Sequence, residues 1–420
     1  MPKETQNKWF VLAVLTAVYT FSFIDRQILV ILAEPIKADL NLSDTQLGLL
    51  TGLAFAALYI TLGLPIARLA DKGNRKNVVA VSLTVWSFMT AISGSATSFI
   101  HLFLARIGVG VGEAGGSPPS HSMISDIFPP KKRATALSIY SSGIYIGMFL
   151  GFAIGGVLAK SFGWRVVFYS IGIPGILLAV FLYFFIKEPI KGQFDTAGAK
   201  NEASTLPEVL KVLFSSKAFI LTSLGTGFLV FGQYGMGNFM PSFLQRVHGM
   251  DIRAAGYVLG ITYGLAGGIG SLAGGYLSDR MGAKDKRWYI WVPMTCLLIS
   301  ILPFSLTVFS DNVQLVVVMF FLNVALGSTF LGPAIAVTHS LVDARMRAFA
   351  SSVLFLIMNF IGLGLGPLVV GYLSDVLTPA FGDLSLRWAF CAIFISASIA
   401  VVFYGLGAKN YIKDLQRMQE

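Results

Sequence analysis

Four charged residues lie deep inside stretches that are otherwise apolar. Asp25 and Arg26 are adjacent in "FSFIDRQILV", and Arg106 and Glu113 lie in "ARIGVGVGEAG". A charge at the centre of a membrane helix costs about 2.5–3.5 kcal/mol, so such residues persist where they are paired or face water. A carboxylate beside a guanidinium group can exchange a proton or be replaced by another anion. The four residues are therefore candidates for proton transfer and anion binding.

Helical spacing limits how these charges can pair. Arg106 and Glu113 are seven positions apart, which places them on one helix face at roughly 10 Å from each other. Asp25 and Arg26 diverge by about 100° around their helix. We therefore expect contacts across the two helices. A static ion pair that only orients the helices is the alternative, and we favour a network that switches partners because the second half has no such charges.

The elements that carry these residues are apolar segments of membrane-spanning length. The chain has 420 residues, of which 55% are hydrophobic and 12% charged, against roughly 25% charged in soluble proteins. This composition predicts an all-α membrane protein with twelve transmembrane helices in two pseudo-symmetric six-helix bundles. The predicted helices are Trp9–Leu32, Gln46–Ile66, Val78–Thr97, Phe99–Ile124, Thr135–Ala159, Trp164–Ile186, Phe219–Leu244, Ala255–Leu277, Trp288–Phe309, Val313–Leu341, Phe349–Leu373 and Trp388–Leu406.

The predicted organisation is a bundle over residues 1–186, a linker over 187–217, a second bundle over 218–407 and a tail over 408–420. The linker contains a short amphipathic piece, Leu206–Leu213. Most Lys and Arg residues fall in alternate loops, which predicts both termini in the cytoplasm and suits a bacterial inner membrane. Because the basic residues are dispersed between apolar segments, we expect no nucleic-acid partner.

The two halves repeat each other. "ARLADKGNRK" follows the second predicted helix and "GYLSDRMGAK" follows the eighth, while "KRATALS" and "MRAFASS" follow the fourth and tenth. Glycines spaced by four predict close helix packing, which we place at the seam between the halves. These glycines are Gly143, Gly147, Gly151 and Gly155 in the fifth helix, and Gly362, Gly366 and Gly371 in the eleventh.

This duplicated pattern resembles the major facilitator superfamily along essentially the whole chain. The second loop copy keeps the family signature at Gly275, Asp279, Arg280, Gly282 and Lys284, whereas the first departs from it at Ala67 and Asn74. The resemblance implies a cytoplasmic gate that latches the outward-facing state. Its pairs would be Asp71 with Arg75 and Arg133, and Asp279 with Arg280 and Arg347. The alternative is that these basic residues only set the topology.

"FSFIDRQ" and "ARIGVGVGEAG" resemble the spinster branch of that superfamily, whose animal members export lysophospholipids or sphingosine phosphate. The resemblance implies that Asp25 and Glu113 take part in substrate binding and proton coupling, with Arg26 and Arg106 as ionic partners. In the second half, polar residues within the helices could contact substrate or hydrogen-bond a neighbouring helix. They are Gln233, Tyr234, Asn238, Tyr263 and Asn359.

The sequence thus predicts a monomeric secondary transporter that works by alternating access, is coupled to protons and moves an amphiphilic lipid. We expect membrane lipids and a small amphiphilic or anionic substrate as partners, and neither a metal nor a cofactor beyond the proton. Export of drugs and transport of small organic anions are the alternatives. A lipid enzyme is disfavoured because the four histidines lack ligand spacing, and a receptor without transport would show no flux.

Overall fold

The computed structural model describes residues 6–194, 206–343 and 346–417, and within these residues helices dominate and no strand occurs. The predicted all-α class is confirmed. Each of the twelve predicted spans falls mostly on helical residues. By length and composition, nine described helical stretches could cross a membrane, and the last, Phe349–Arg417, contains two of the predicted spans.

Contacts divide the chain into two units, of which unit 1 comprises Met1–Ala199 and Met250–Gly260. Its helices up to the linker are α1 (Lys8–Ile31), α2 (Ala33–Leu40), α3 (Asp44–Gly48), α4 (Ala54–Lys72), α5 (Arg75–Ser93), α6 (Phe99–Glu113), α7 (Ser117–Ile127), α8 (Pro130–Phe162) and α9 (Trp164–Phe185). A π-helical turn, Leu49–Leu53, joins α3 to α4.

Unit 2 comprises Lys200–Gly249 and Ile261–Glu420. Three of its spans are interrupted by π-helical or 3-10 turns, at Thr262–Ala266, Ser328–Phe330 and Asn359–Leu365. The remaining helices of the chain are α10 (Leu206–Ser215), α11 (Lys217–Arg246), α12 (Ile252–Ile261), α13 (Gly267–Gly282), α14 (Trp288–Phe309), α15 (Val313–Gly327), α16 (Leu331–Ser340), α17 (Arg347–Met358), α18 (Gly366–Phe381), α19 (Ser385–Ala389) and α20 (Cys391–Arg417), with a 3-10 turn at Gly382–Leu384.

Local sequence signals fix where the functional helices begin and end. The Asn74 side chain accepts a hydrogen bond from the Asn77 N–H and caps α5, and the Ser98 hydroxyl caps α6 in the same way. Such caps satisfy backbone donors that a helix start leaves unpaired. α6 ends at Glu113 because three turn residues follow, and α7 then starts with two prolines in its first turn. The fourth predicted span is therefore divided into two helices.

Both glycine stripes pack against a helix of their own unit, α1 in unit 1 and α11 in unit 2. A Cβ on Gly147 would lie 2.6 Å from the carbonyl oxygen of Thr20 in α1. Likewise, a Cβ on Gly366 would lie 2.6 Å from the carbonyl oxygen of Phe231 in α11. The predicted place of these stripes at the seam between the halves is wrong. A four-residue spacing predicts a close-packing face, but it does not reveal which helix lies opposite.

Both units expose many large apolar side chains, whereas unit 1 has charged groups in its interior. Val81, Leu104, Phe184 and Leu272 are 63%, 59%, 73% and 78% exposed. Asp25 is only 1% exposed. This reversal of the pattern of a soluble protein suits an environment of hydrocarbon, in which helices satisfy their own backbone groups. The apolar surface thus agrees with the predicted membrane location.

Two glycines on α13 provide a matched test of this packing. A Cβ on Gly270 would collide with the backbone carbonyl of Ala325, whereas a Cβ on Gly275 would meet no atom within 4 Å. Overpacking of this kind typically costs 1–3 kcal/mol. We therefore expect Gly270→Ala to lower the thermal unfolding temperature in detergent and Gly275→Ala to leave it unchanged. Equal midpoints for the two variants would contradict the packing described for α13 and α15.

Candidate functional site

The Glu113 carboxylate at the end of α6 is held by two residues of α1. Its Oε2 accepts hydrogen bonds from the Ser22 hydroxyl at 2.9 Å and from Arg26 Nε at 2.8 Å, and Arg26 Nη2 lies 2.6 Å away. Ser22 and Arg26 are four positions apart and so share a helix face. The cross-helix pairing predicted from the sequence is present for this pair.

The Arg26 guanidinium is also surrounded by aromatic rings. Its Cζ lies 4.5 Å from the ring centroid of Phe55 and 5.0 Å from those of Phe23 and Tyr59. The Arg26 side chain remains 18% exposed, whereas that of Glu113 is 1% exposed. Cation–π contacts stabilise a guanidinium group where water is scarce. Arg26 is thus the more accessible member of a buried ion pair.

Asp25 points to a different side of α1. Within the described residues no hydrogen bond of standard geometry reaches its carboxylate oxygens, and the Thr90 hydroxyl on α5 lies beside them. Arg106 is 3% exposed and interacts electrostatically with Asp25 and Glu113. Its Nε has no hydrogen-bond partner among the described residues. We call Asp25, Arg26, Arg106 and Glu113 the buried charge cluster. The structure brings all four predicted residues together.

Small residues on α6 allow this clustering. A Cβ on Gly110 would lie 2.6 Å from the carbonyl oxygen of Phe55, and one on Gly112 would lie 2.6 Å from the backbone nitrogen of Trp86. Both glycines therefore let α6 pack closely on α4 and α5, where larger residues would hold the helices apart. This close packing places Arg106 beside Phe55, at 5.5 Å from its ring centroid.

A second cluster of charges lies at the end of unit 1 where α5 begins. Arg75 is 2% exposed and pairs with Asp126 at the end of α7 and with Glu188 after α9, the latter at 2.8 Å. It also donates to the Ser122 hydroxyl at 2.9 Å and to the Pro189 carbonyl at 3.0 Å. The Arg75 cluster, formed by Arg75, Asp126 and Glu188, therefore ties the start of the linker to unit 1.

The other gate residues have simpler surroundings. Arg133 donates to the Ser125 carbonyl at 2.8 Å, and Arg280 contacts the Tyr276 hydroxyl at 3.4 Å. Asp279 accepts a hydrogen bond from the Tyr289 hydroxyl at 2.8 Å, and the Arg347 side chain is exposed. The side chain of Asp71 lies outside the described part of the structure. The predicted latch pairs of Asp71 and Asp279 remain predictions.

Ion pairs also occur at the opposite end of unit 1. Lys160, near the end of α8, lies 2.6 Å from Asp251, the residue before α12. The hydrogen bond from Lys160 holds the pKa of Asp251 below its usual range. Lys37 pairs with the buried Asp44 at 2.5 Å.

The polar residues predicted to line a cavity in unit 2 have mixed surroundings. Gln233 donates to the carbonyl of Gly327, where α15 ends, and Asn238 donates to the Tyr234 carbonyl one turn back on α11, at 3.0 Å. Tyr263 and Asn359 both lie in π-helical turns, which are often associated with functional sites. Gln233 thus follows the alternative interpretation, in which a polar residue bonds a neighbouring helix.

Comparison with known proteins identifies the family. Two overlapping matches to the Major Facilitator Superfamily model cover residues 15–367 and 262–412. The chain belongs to the major facilitator superfamily. With its long apolar helices, the chain is therefore an integral membrane protein, and its family consists of transporters.

Individual relatives narrow the resemblance. A crystal structure of a bacterial homologue of the human lysosomal transporter Spinster, inward-facing and unoccupied, matches with a TM-score of 0.90 and 32% identity over 97% of this chain and 98% of that one. An MFS-type efflux pump of Mycolicibacterium smegmatis is 33% identical over 98% of this chain and 95% of its own length. A hexuronate transporter of Bacillus subtilis is 28% identical over 95% of this chain and 94% of its own length. The predicted spinster-like resemblance is confirmed.

Sequence reasoning missed several residues of these sites. Asp126 and Glu188 neutralise Arg75, and Ser22 and Phe55 hold Glu113 and Arg26. The internal repeat could have revealed Asp126. This residue precedes Arg133 in the first half, as Asp343 precedes Arg347 in the second. No motif marks the others. Among the described residues, no group of three or more His, Cys, Asp or Glu side chains could hold a metal ion.

The Arg26–Glu113 pair can be tested by a double-mutant cycle. Removing one partner of a buried pair leaves an uncompensated charge and costs about 3–5 kcal/mol. We expect Arg26→Gln and Glu113→Gln each to lower the unfolding temperature in detergent, and the double variant to be more stable than the sum of the two losses implies. Additive losses would mean that the two side chains do not interact in the folded protein.

The Arg75 cluster can be tested by stability and proteolysis. Arg75→Gln leaves Asp126 and Glu188 without their cation, so we expect a lower unfolding temperature and faster cleavage of the chain after Glu188. Arg75→Lys should be intermediate, because an ammonium group cannot reproduce the forked contacts of a guanidinium. Lys131→Gln, at an exposed position on α8, is the matched control. If it behaves like Arg75→Gln, the cluster has no special role.

Proposed function

We propose that this chain is a proton-coupled secondary transporter that works by alternating access and moves an amphiphile with an anionic head group, such as a lysophospholipid or a sphingoid-type lipid. The observation that carries the proposal is the Arg26–Glu113 pair. It joins a partly exposed guanidinium to a fully enclosed carboxylate, inside a unit whose outer surface is apolar. Such intramembrane charges are expensive and usually functional.

Substrate binding and protonation are linked in this proposal by electrostatics. An anionic head group that binds Arg26 displaces the Glu113 carboxylate from its cation. A carboxylate without a partner is costly in a dry helix bundle, so Glu113 takes up a proton when the substrate binds. When the substrate leaves, Glu113 releases the proton and returns to Arg26. Because proton and substrate are bound at the same time, each cycle carries both across the membrane in the same direction.

Asp25 supplies a second proton site in this scheme. Within the described residues no hydrogen bond of standard geometry reaches its oxygens, and it lies near Arg106 rather than on the Arg26 side of α1. Proton exchange at Asp25 therefore need not compete with the substrate for Arg26. Arg106 interacts with both carboxylates and allows the charge of one to influence the other.

Aromatic surfaces support an amphiphilic substrate. Besides the three rings around Arg26, Tyr19 stacks on Tyr140 with ring centroids 4.5 Å apart, and His121 meets the edge of Tyr140 at 5.1 Å. Apolar groups beside a single cation suit a molecule with a charged head and a hydrocarbon body. Tyr19 lies two turns before Arg26 on α1, whereas His121 and Tyr140 lie on α7 and α8.

Small organic anions are a second candidate, favoured by the hexuronate transporter that aligns along almost the whole chain. A hexuronate carboxylate could occupy the same position at Arg26 as a lipid head group. Drug export is the third candidate, because the similar protein of Mycolicibacterium smegmatis carries the description of an efflux pump. All three describe a transporter rather than an enzyme.

The membrane arrangement completes the proposal. The enrichment of Lys and Arg in alternate loops supports a topology in which both termini and the Arg75 cluster are cytoplasmic, as in a bacterial inner membrane. Asp71 and Asp279, with their basic partners, then close the cytoplasmic side in the outward-facing state. The transporter acts as a monomer, with each molecule holding a complete buried charge cluster.

Proton coupling can be tested in proteoliposomes with an imposed pH gradient. We expect Asp25→Asn and Glu113→Gln to abolish gradient-driven accumulation, because neither amide can carry the proton. Asp39→Asn, which alters an ion pair with Arg165 that is about 40% exposed, should retain it. Normal accumulation by both cluster variants would leave the cluster with a purely structural role.

The substrate class can be assigned in the same vesicles. Lysophosphatidylglycerol, glucuronate and a cationic dye are offered separately, and the Arg26→Gln protein serves as the inactive reference. We expect flux of the lysolipid that requires Arg26. Flux of glucuronate alone would favour the organic-anion candidate, and flux of the dye alone would favour drug export.

A further inference from the structure

A groove runs along the outer face of unit 1 between α5 and α9. It has a volume of about 240 Å³, and Ala80 and Ala179 line it. Val81, Val180, Tyr183 and Phe184 also line it and are between 48% and 73% exposed. Because the surrounding surface faces hydrocarbon, an apolar groove of this kind accommodates part of a lipid chain.

A cation lies at one end of this groove. The Lys76 ammonium donates to the Tyr183 carbonyl at 2.9 Å and lies 5.0 Å from the centroid of the Tyr183 ring. None of the ion pairs between described residues involves Lys76. An ammonium has three donors, so Lys76 keeps donors for an external anion. Tyr183 is itself a residue type that favours the head-group region of a bilayer.

The local charge balance also favours an anion. The two nearby carboxylates, Asp126 and Glu188, are already bound by the Arg75 guanidinium. Glu188 accepts a further hydrogen bond from the Lys76 backbone N–H at 2.8 Å. This end of the unit therefore has an excess of positive charge, with Arg75, Lys76 and Lys187 against Asp126 and Glu188.

We propose that this groove binds an anionic phospholipid of the surrounding membrane. One acyl chain lies along Ala80 and Ala179, and the phosphodiester accepts hydrogen bonds from Lys76. Basic pockets at the ends of transmembrane helices bind anionic head groups in this way, and each lysine near the surface contributes about a fivefold gain. The lipid is a resident of the outer face, so the proposal does not rest on which substrate is transported.

Native mass spectrometry of the delipidated full chain tests the proposal, with dioleoyl phosphatidylglycerol and dioleoyl phosphatidylcholine as the added lipids. We expect the wild-type protein to retain phosphatidylglycerol preferentially, and Lys76→Gln to weaken its binding about fivefold. Lys131→Gln removes the same charge at the same end of unit 1, away from the groove, and should have no effect. Val180→Trp, at a residue that is 48% exposed, fills the groove without a buried clash and should reduce binding of both lipids.

Three results would overturn the proposal. The first is equal retention of the two lipids by the wild-type protein. The second is equal weakening by Lys76→Gln and Lys131→Gln, which would indicate a general charge effect. The third is unchanged binding in a Val180→Trp protein that has a normal unfolding temperature. None of these depends on transport, so failure here is separate from failure of the proposed function.

Discussion

Little water competes for an ion pair inside a membrane. This constraint determines how the helices of unit 1 pack around Arg26 and Glu113. In hydrocarbon, a guanidinium and a carboxylate are stable when they meet each other or another polar group. Arg26 and Glu113 meet across α1 and α6, and the geometry of both helices serves that contact. The glycines of α6 let it approach α4 and α5, and the aromatic rings around Arg26 enclose the cation without neutralising it.

The same constraint separates neighbouring residues into different environments. Arg26 lies against Glu113 and remains partly exposed, while Asp25 is enclosed beside Thr90 and Arg106. Because a helix turns by about 100° per residue, adjacency in the sequence means divergence in space. The Arg75 cluster is built differently, since one cation there binds two carboxylates and a backbone carbonyl at the edge of the apolar region. With both carboxylates ionised, the Arg75 cluster carries one more negative charge than positive, whereas the buried charge cluster contains two acids and two bases.

The sequence predicted the helical architecture well because hydrocarbon imposes long apolar segments that can be read directly. It also identified the buried charge cluster, since charged residues are rare in such segments. It could not identify Ser22 or Phe55, because a serine or phenylalanine in an apolar helix is ordinary. It misplaced the stripe of Gly143 to Gly155, which packs on α1. A periodic pattern defines a face, and only the tertiary structure supplies the partner.

The rigid turn of α1 that holds both Asp25 and Arg26 has a mechanical consequence. The two side chains are fixed on one short piece of backbone, so a rotation of α1 about its own axis moves both together. Any twist that draws the cation away from the end of α6 also changes how deeply the acid is seated against α5. A single torsional coordinate thus couples the surroundings of Arg26 to those of Asp25, without a relay of intermediate side chains.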